Sequence, residues 1–281
     1  MAVTNRLALP ETASSAPLEE GSIFFIGNAT VLLRLAGFTI LTDPTFIHRH
    51  EQTWLGYGLH TTRLTDPALE IADLPSLDFV LLSHFHGDHF DQAAEQGLDH
   101  ALPIVTTPES ATALAERGFT NGIPLETWAT LDVEKGASRL RITATPARHG
   151  PPMVDFALPD VMGSIIDAVT PAGAAARLYI SGDTLIIDEL REIRERYPAI
   201  DIGLLHLGGT RVLGILVSMD AAQGVEAMRI IEQELTIPIH YNDYDVFTSS
   251  LEDFQAEVTA ADLDDRVHYL RHGETYRFDV G

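Results

Sequence analysis

The segment Ser83-His84-Phe85-His86-Gly87-Asp88-His89-Phe90, directly after the apolar run Asp78-Phe79-Val80-Leu81-Leu82, decides how the chain is interpreted. Side chains two positions apart in an extended segment point to the same side, so His84 and His86 can bind one ion. If the chain then turns, Asp88 and His89 face a second ion beside the first. The alternative is a surface histidine cluster, but a glycine-containing loop at a strand end is the more usual place for a site.

Three more residues of metal-ligand type follow predicted strands further along the chain. His149 comes after Leu140–Thr143, Asp183 after a run that ends at Ile180, and His240 directly after Ile237–Ile239. Taken singly, each also fits a turn or a structural histidine. Two ions that share one water need about three ligands each and a bridging carboxylate, and these residues supply what the first segment lacks.

Composition sets limits on the class of protein. The 281 residues are 45% hydrophobic and 21% charged, as in an ordinary globular protein with one large core. Cysteine is absent, so any metal must be held by histidine nitrogen and carboxylate oxygen. The net charge of −23 disfavours binding to nucleic acid or to an anionic membrane. The sequence therefore predicts a small-molecule substrate and leaves homo-oligomer formation open.

The chain is expected to form one domain over residues 21–281, preceded by a flexible tail at residues 1–20. The tail has no apolar run typical of a signal peptide, and the most apolar stretch, Ile200–Met219, contains Asp201 and Arg211. We therefore expect a cytoplasmic protein with no membrane span.

Short β-type runs open the domain, and from Asp78 onward strand-like runs alternate with helical patterns, which predicts a layered α/β domain. Segments 45–67 and 151–160 have no regular pattern and are expected to be lids or pocket walls. The predicted strands are Ile23–Ile26, Val31–Leu35, Thr39–Leu41, Phe79–Leu82, Ile104–Val105, Leu140–Thr143, Arg177–Ile180, Ile202–Leu205 and Ile237–Ile239. The predicted helices are Glu109–Arg117, Leu185–Tyr197, Asp220–Leu235 and Leu251–Ala261.

The ordered histidines and aspartates resemble the metal-binding set of the metallo-β-lactamase superfamily, whose fold is a four-layer αβ/βα sandwich. The segments Ile26-Gly27-Asn28-Ala29-Thr30 and Ile40-Leu41-Thr42-Asp43-Pro44 are similar to the ascorbate-6-phosphate lactonase-like branch. Asn28 and His206 depart from that branch, which usually has histidine and proline there.

The resemblance implies two divalent metal ions, with zinc expected and manganese or iron as alternatives. One ion would be held by His84, His86 and His149. The second would be held by Asp88, His89 and His240, and Asp183 would bridge the two ions.

The resemblance further implies a metal-dependent hydrolase that uses a metal-bound hydroxide on a small lactone or ester, with Asp88 also orienting the nucleophile. The alternatives are a phosphodiesterase acting on a small nucleotide or lipid, and a metal-binding protein without turnover. A diiron oxidoreductase is disfavoured, because such relatives carry glutamate at the position of Asp88 and an additional flavin domain.

Several further residues are candidates for supporting roles. Asp43 is either an acceptor behind a ligand histidine or a turn residue, and His206 is either a proton shuttle to the leaving group or a structural histidine. Asp220 is expected to cap a helix, and Arg148 to be either an anion-binding or a surface residue. The residues expected in a lid or a solvated loop are His48, His50, His60, Trp54 and Tyr57.

Overall fold

The computed structural model describes residues 4–11, 18–56, 58–154, 157–173 and 175–281. Its strands are β1 (Thr4–Leu9), β2 (Glu20–Gly27), β3 (Thr30–Leu35), β4 (Phe38–Thr42), β5 (Gln52–Trp54), β6 (His60–Thr62), β7 (Phe79–Leu81), β8 (Ile104–Thr106), β9 (Gly122–Pro124), β10 (Thr130–Lys135), β11 (Ser138–Thr145), β12 (Gly163–Val169), β13 (Ala175–Ile180), β14 (Ile202–His206), β15 (Arg211–Val212), β16 (Ile215–Leu216), β17 (Leu235–Ile239) and β18 (Thr275–Asp279). Its α-helices are α1 (Gln92–Gly97), α2 (Pro108–Glu116), α3 (Leu190–Arg196), α4 (Ala221–Ile231) and α5 (Leu251–Ala260).

Two seven-stranded mixed sheets form the centre of the molecule. The first sheet has the order β1-β10-β11-β12-β13-β14-β17, and the second has the order β18-β2-β3-β4-β7-β8-β9. Apolar side chains from both sheets, such as Phe25, Leu33, Ile142 and Leu178, pack into one fully buried cluster between them. The two sheets therefore face each other across a common core.

Helices cover the outer face of each sheet. Residues of α3, α4 and α5 pack with β12–β14 of the first sheet, and residues of α1 and α2 pack with β2–β4, β7 and β8 of the second. The result is the expected four-layer α/β sandwich, in which each sheet buries both of its faces.

Local sequence signals explain where the helices begin. The side chain of Asp220 accepts a hydrogen bond from the Gln223 N–H at the start of α4, and Thr107 does the same for Ser110 before α2. Ser250 and Asp253 form a reciprocal capping pair at α5. The expected capping role of Asp220 is thereby confirmed.

The structure corrects two expectations about chain organisation. Residues 4–9 are not a tail, because they form β1, which pairs in parallel with β10, while residues 1–3 and 12–17 lie outside the described residues. The predicted helix Leu185–Tyr197 begins only at Leu190. Leu185 instead lies in a loop, where its N–H donates to the Arg148 carbonyl at 2.9 Å.

Segment 45–67, expected to be irregular, contains the hairpin of β5 and β6. In the described part of the chain, no helix is long and apolar enough to cross a membrane.

Candidate metal centre

The loop after β7 turns at the point that the spacing of its histidines requires. The N–H groups of His89 and Phe90 both donate to the His86 carbonyl, at 3.0 and 2.7 Å. This turn separates the His84-x-His86 pair from Asp88 and His89. The remaining residues come from strand ends of the other sheet: His149 after β11, Asp183 after β13 and His240 after β17. All seven predicted ligand residues therefore meet at one edge of the sandwich.

The first group of three, His84, His86 and His149, offers ligand nitrogens that lie within 4.8 Å of one another. The Nε2 atom of His84 and the Nδ1 atom of His86 are 3.2 Å apart. Nδ1 of His149 lies 2.7 Å from the Val217 carbonyl oxygen, to which it donates as the protonated ring nitrogen. That tautomer leaves Nε2 of His149 with a lone pair for a metal.

The second group, Asp88, His89 and His240, also has its ligand atoms within 4.8 Å of one another. Oδ2 of Asp88 lies 3.5 Å from Nε2 of His240 and 4.0 Å from Nε2 of His89. Nδ1 of His240 is 3.0 Å from the Leu207 carbonyl oxygen, so the backbone fixes this ring as it fixes His149. The arrangement leaves Nε2 as the free nitrogen of His240.

Asp183 lies between the two groups, and its role as a bridging carboxylate stays a prediction. Its Oδ1 atom is 3.5 Å from Nε2 of His89 and 3.4 Å from Nδ1 of His240. Asp183 also forms a ligand group with His84 and His89. Because His84 belongs to the first group and His89 to the second, Asp183 lies within 4.8 Å of ligand atoms of both groups.

Unsatisfied buried atoms test whether these residues suit a cation. Oδ1 of Asp88, Nε2 of His89, Oδ1 of Asp183 and Nε2 of His240 are buried and have no hydrogen-bond partner. Leaving such groups unpaired costs about 1–3 kcal/mol each, and more when the group is charged. Carboxylate oxygen and imidazole nitrogen converging on one space form the donor set that zinc, manganese or iron accepts. The residues fit a metal ion.

Electrostatics divide the histidines into two kinds. Burial and the neighbouring imidazoles hold the pKa of His84 well below its ordinary value, and burial and His149 lower the pKa of His86 to about 3. These rings are neutral, which is the ligating form. Burial opposes charge on His89 and His240 too, but Asp183 and its neighbours raise the pKa of both. The space between the two carboxylates therefore favours positive charge.

Asp43 supports His89 from behind. Its Oδ2 atom is 3.3 Å from Nδ1 of His89 and 3.1 Å from Nε2 of His206, while its Oδ1 accepts the Ser83 N–H at 2.7 Å. Burial alone would raise the pKa of Asp43, but the hydrogen bonds from His206 and His89 lower it to about 2. Asp43 is therefore an acceptor behind His89, and the ligand role of His89 stays a prediction.

His206 is fully buried behind the ligands. Its Nδ1 is 3.2 Å from the Ser181 hydroxyl, and its Nε2 contacts Asp43, so both ring nitrogens have protein partners. This position favours the structural alternative for His206. Its proton-shuttle role stays a prediction.

Asn28 connects the two halves of the centre, a role that the sequence did not reveal. Its side-chain amide donates to the Asp88 carbonyl, and its own carbonyl accepts the His240 N–H at 2.7 Å. Its backbone N–H donates to Oδ2 of Asp243 at 2.7 Å. Asn28 and His240 both have left-handed backbone angles, with φ of 55° and 61°, which is uncommon for non-glycine residues and frequent at functional sites.

The remaining candidates lie further out. Arg148 pairs with Glu189 at 3.4 Å and borders a cavity of about 510 Å³ that also reaches His149. His48 lies 3.4 Å from both Asp66 and Glu70 at the surface, and His50 and His60 are exposed. Trp54 ends β5, and Tyr57 lies outside the described residues.

The two-sheet sandwich is a metallo-β-lactamase fold, and its edge of histidines and aspartates is a candidate metal centre. A family model described as a β-lactamase superfamily domain matches residues 39–241. The chain belongs to that family.

Two archaeal relatives are each named a UPF0173 metal-dependent hydrolase. The protein from Archaeoglobus fulgidus is 29% identical over 81% of this chain and 98% of its own. The protein from Methanopyrus kandleri is 30% identical over 90% of this chain and 98% of its own. The family is thus one of metal-dependent hydrolases, and the lactonase-like branch is not confirmed.

Solved structures show the same fold. An isothiocyanate hydrolase from Delia radicum gut bacteria has a TM-score of 0.76 and 21% identity, over 92% of this chain and 100% of its own. A possible metal-dependent hydrolase from Veillonella parvula has a TM-score of 0.76 and 21% identity, over 92% of this chain and 99% of its own.

Proposed function

We propose that the protein is a dinuclear metal-dependent hydrolase of small lactones or esters, with a small molecule as its partner and no role in nucleic-acid or membrane binding. The observation that carries this proposal is the pair of ligand groups on either side of Asp183. His84, His86 and His149 would hold one ion, and Asp88, His89 and His240 the other. Zinc is the first expectation, and manganese or iron are alternatives that the same donor set accepts.

When bound, divalent cations at such a centre would lower the pKa of a water molecule towards neutrality and polarise a carbonyl or phosphoryl oxygen. The residues of the chain have the complementary tasks. Oδ1 of Asp88 is buried without a partner, so it can accept a hydrogen bond from the attacking water and orient it. Asp43 holds Nδ1 of His89 and so fixes the ring orientation that this ligand needs. The cavity beside His149 offers space for the substrate.

Elemental analysis joined to a substrate panel tests the proposal. Protein purified without chelator is expected to contain close to two ions per chain and to hydrolyse lactones or aryl esters faster than phosphodiesters. A loaded protein that cleaves phosphodiesters preferentially would move the assignment to phosphodiesterase. Two bound ions without turnover on any substrate would favour a metal-binding protein, and no binding of divalent ions would refute the proposal.

A further inference from the structure

Three apolar side chains stand out by their exposure. Leu213 is 93% exposed, Met153 80% and Trp54 48%, and these are the most exposed large hydrophobic residues in the described part of the chain. A single exposed apolar residue is normal on a protein surface. The positions of these three are informative, because each lies on a segment attached to a loop that carries ligand residues.

Trp54 lies on the hairpin that rests on the loop after β7. Its carbonyl oxygen accepts the Gly87 N–H at 3.0 Å, and the Thr53 hydroxyl donates to the Gly87 carbonyl at 3.1 Å. Gly87 lies between the ligand residues His86 and Asp88. A Cβ at Gly87 would collide with Thr53 and with the Trp54 backbone, so the hairpin lies in direct contact with the ligand loop.

Leu213 lies at the turn of the β15–β16 hairpin, whose base touches a different ligand. Val217, directly after β16, donates its N–H to the Thr210 carbonyl at 2.9 Å and so closes the hairpin. The Val217 carbonyl accepts Nδ1 of His149 at 2.7 Å and the Gly150 N–H at 3.0 Å. The base of the hairpin therefore contains Val217, whose carbonyl oxygen orients the His149 ring.

Met153 follows His149 in the chain and lies on the same side. The Val154 N–H donates to the Pro151 carbonyl at 2.9 Å, which folds residues 151–154 into a turn. A Cβ on Gly150 would lie 3.2 Å from Val154 and 3.4 Å from Val217, so this turn packs at the base of the Leu213 hairpin. The segments that carry Met153 and Leu213 thus pack on the His149 side of the centre, and the hairpin that carries Trp54 packs on the His86–Asp88 side.

We propose that Trp54, Met153 and Leu213 form an apolar rim that contacts the non-reacting part of the substrate. The substrate class would then be uncharged esters or lactones that carry an apolar chain. This inference rests on the proposed function, because it assigns the rim to the substrate of the same site. Complete burial of a methylene group raises the affinity for a ligand about fourfold. A partly open rim is therefore expected to raise the affinity about two- to fourfold for each methylene group.

The test uses metal-loaded protein and a series of p-nitrophenyl esters with unbranched acyl chains of increasing length. For the wild type, kcat/KM is expected to rise about two- to fourfold for each methylene until the rim is filled. The double variant Met153→Ser with Leu213→Ser, and Trp54→Ala separately, are expected to lose activity progressively as the chain lengthens. Val169→Ser is the matched control, because Val169 is 44% exposed at the end of β12 remote from the ligands.

A binding measurement separates this inference from the proposed function. Isothermal titration with γ-lactams carrying the same alkyl chains, which resist hydrolysis, is expected to give Kd values that fall with chain length in the wild type and change little in the double variant. If the protein binds these lactams in that way but hydrolyses no ester, the proposed function fails and the rim is retained.

Several results would overturn the assignment of the rim. One is ester hydrolysis whose rate does not depend on chain length, and another is an equal effect in Val169→Ser. Variants that change the oligomeric state, measured by light scattering, without changing chain-length dependence would assign the rim to contact between copies and overturn the proposal as well.

Discussion

Replacing Asp43 with asparagine isolates the support given to one metal ligand. Asparagine has the same shape but a single acceptor oxygen, whereas Asp43 accepts from Ser83 through one oxygen and from His89 and His206 through the other. If the amide oxygen keeps the Ser83 bond, the amide N–H group faces two ring nitrogens that need an acceptor. His89 then loses the partner that keeps the proton on Nδ1 and leaves Nε2 free to bind.

Removal of such a partner typically weakens metal binding about 10- to 100-fold. This factor corresponds to about 1.4–2.7 kcal/mol of binding free energy. We expect the larger loss at the ion that Asp88, His89 and His240 would hold, because Asp43 contacts the ring of His89 directly. Asp43 reaches the first group only indirectly, through its bond to the Ser83 N–H beside His84. Competition against a chromophoric chelator gives the two affinities, and a melting curve reports any loss of folding.

Asp78→Asn is the matched control for this variant. Asp78 also accepts a hydrogen bond from a backbone N–H, that of Thr39 at 2.8 Å, and forms an ion pair with Lys135 at 2.9 Å. It precedes β7, at the end of the strand opposite the candidate ligands. It is expected to lower the melting temperature without changing either affinity. Unchanged affinities in Asp43→Asn, or an equal loss in Asp78→Asn, would refute the reasoning.

Three further predictions concern metal bridging, metal removal and pH. Asp183→Ala is expected to weaken the binding of at least one ion and to reduce turnover strongly. Asp220→Ala is expected to lose about 1 kcal/mol of stability with its helix cap and to keep most of its activity. The two variants are compared by metal content, melting temperature and turnover rate. Dialysis against a chelator is expected to lower the melting temperature, because the buried carboxylates lose their compensating charge, and an unchanged melting curve would contradict this. Burial would raise the pKa of Asp243, but the hydrogen bond from His272 holds it below its ordinary value. A lowered folded-state pKa stabilises the fold above about pH 4, and this contribution disappears as the pH falls through the folded-state pKa. The free energy of unfolding, measured with urea from pH 6 to 3, should therefore fall less steeply in Asp243→Asn than in the wild type. Parallel curves for the two proteins would contradict this prediction.

The clustering of the candidate ligand residues could be predicted from the sequence because their signal is local. The His-x-His-x-Asp-His motif lies within six consecutive residues, His84–His89. His149, Asp183 and His240 each follow an apolar run that forms a strand. Strand ends of a sandwich meet at common edges, so these positions in the chain imply proximity in space.

Other features had no local signal. Residues 4–9 form a strand only because β10, more than a hundred residues later, supplies a parallel partner. Leu185, Ile186 and Ile187 have the composition of a helix start, but the N–H groups of the first two bond to the Arg148 carbonyl and to the Gln223 side chain. Those tertiary hydrogen bonds replace the backbone hydrogen bonds of a helix, and α3 therefore begins only at Leu190.

The role of Asn28 explains why the geometry of the centre could not be obtained from the ligands alone. Asp88 belongs to a loop of one sheet and His240 to a loop of the other, so the distance between them depends on how the two sheets are held at this edge. Asn28, in the β2–β3 turn, contacts both, through its side chain to Asp88 and its backbone to His240. The contact with Asp88 spans 60 positions in sequence and follows no periodicity. Because buried polar groups must be paired, a residue in this place needs a side-chain donor for the Asp88 carbonyl. Both asparagine and the histidine usual in the resembled branch supply one, so the departure at Asn28 changes the side chain and can keep the link between the sheets.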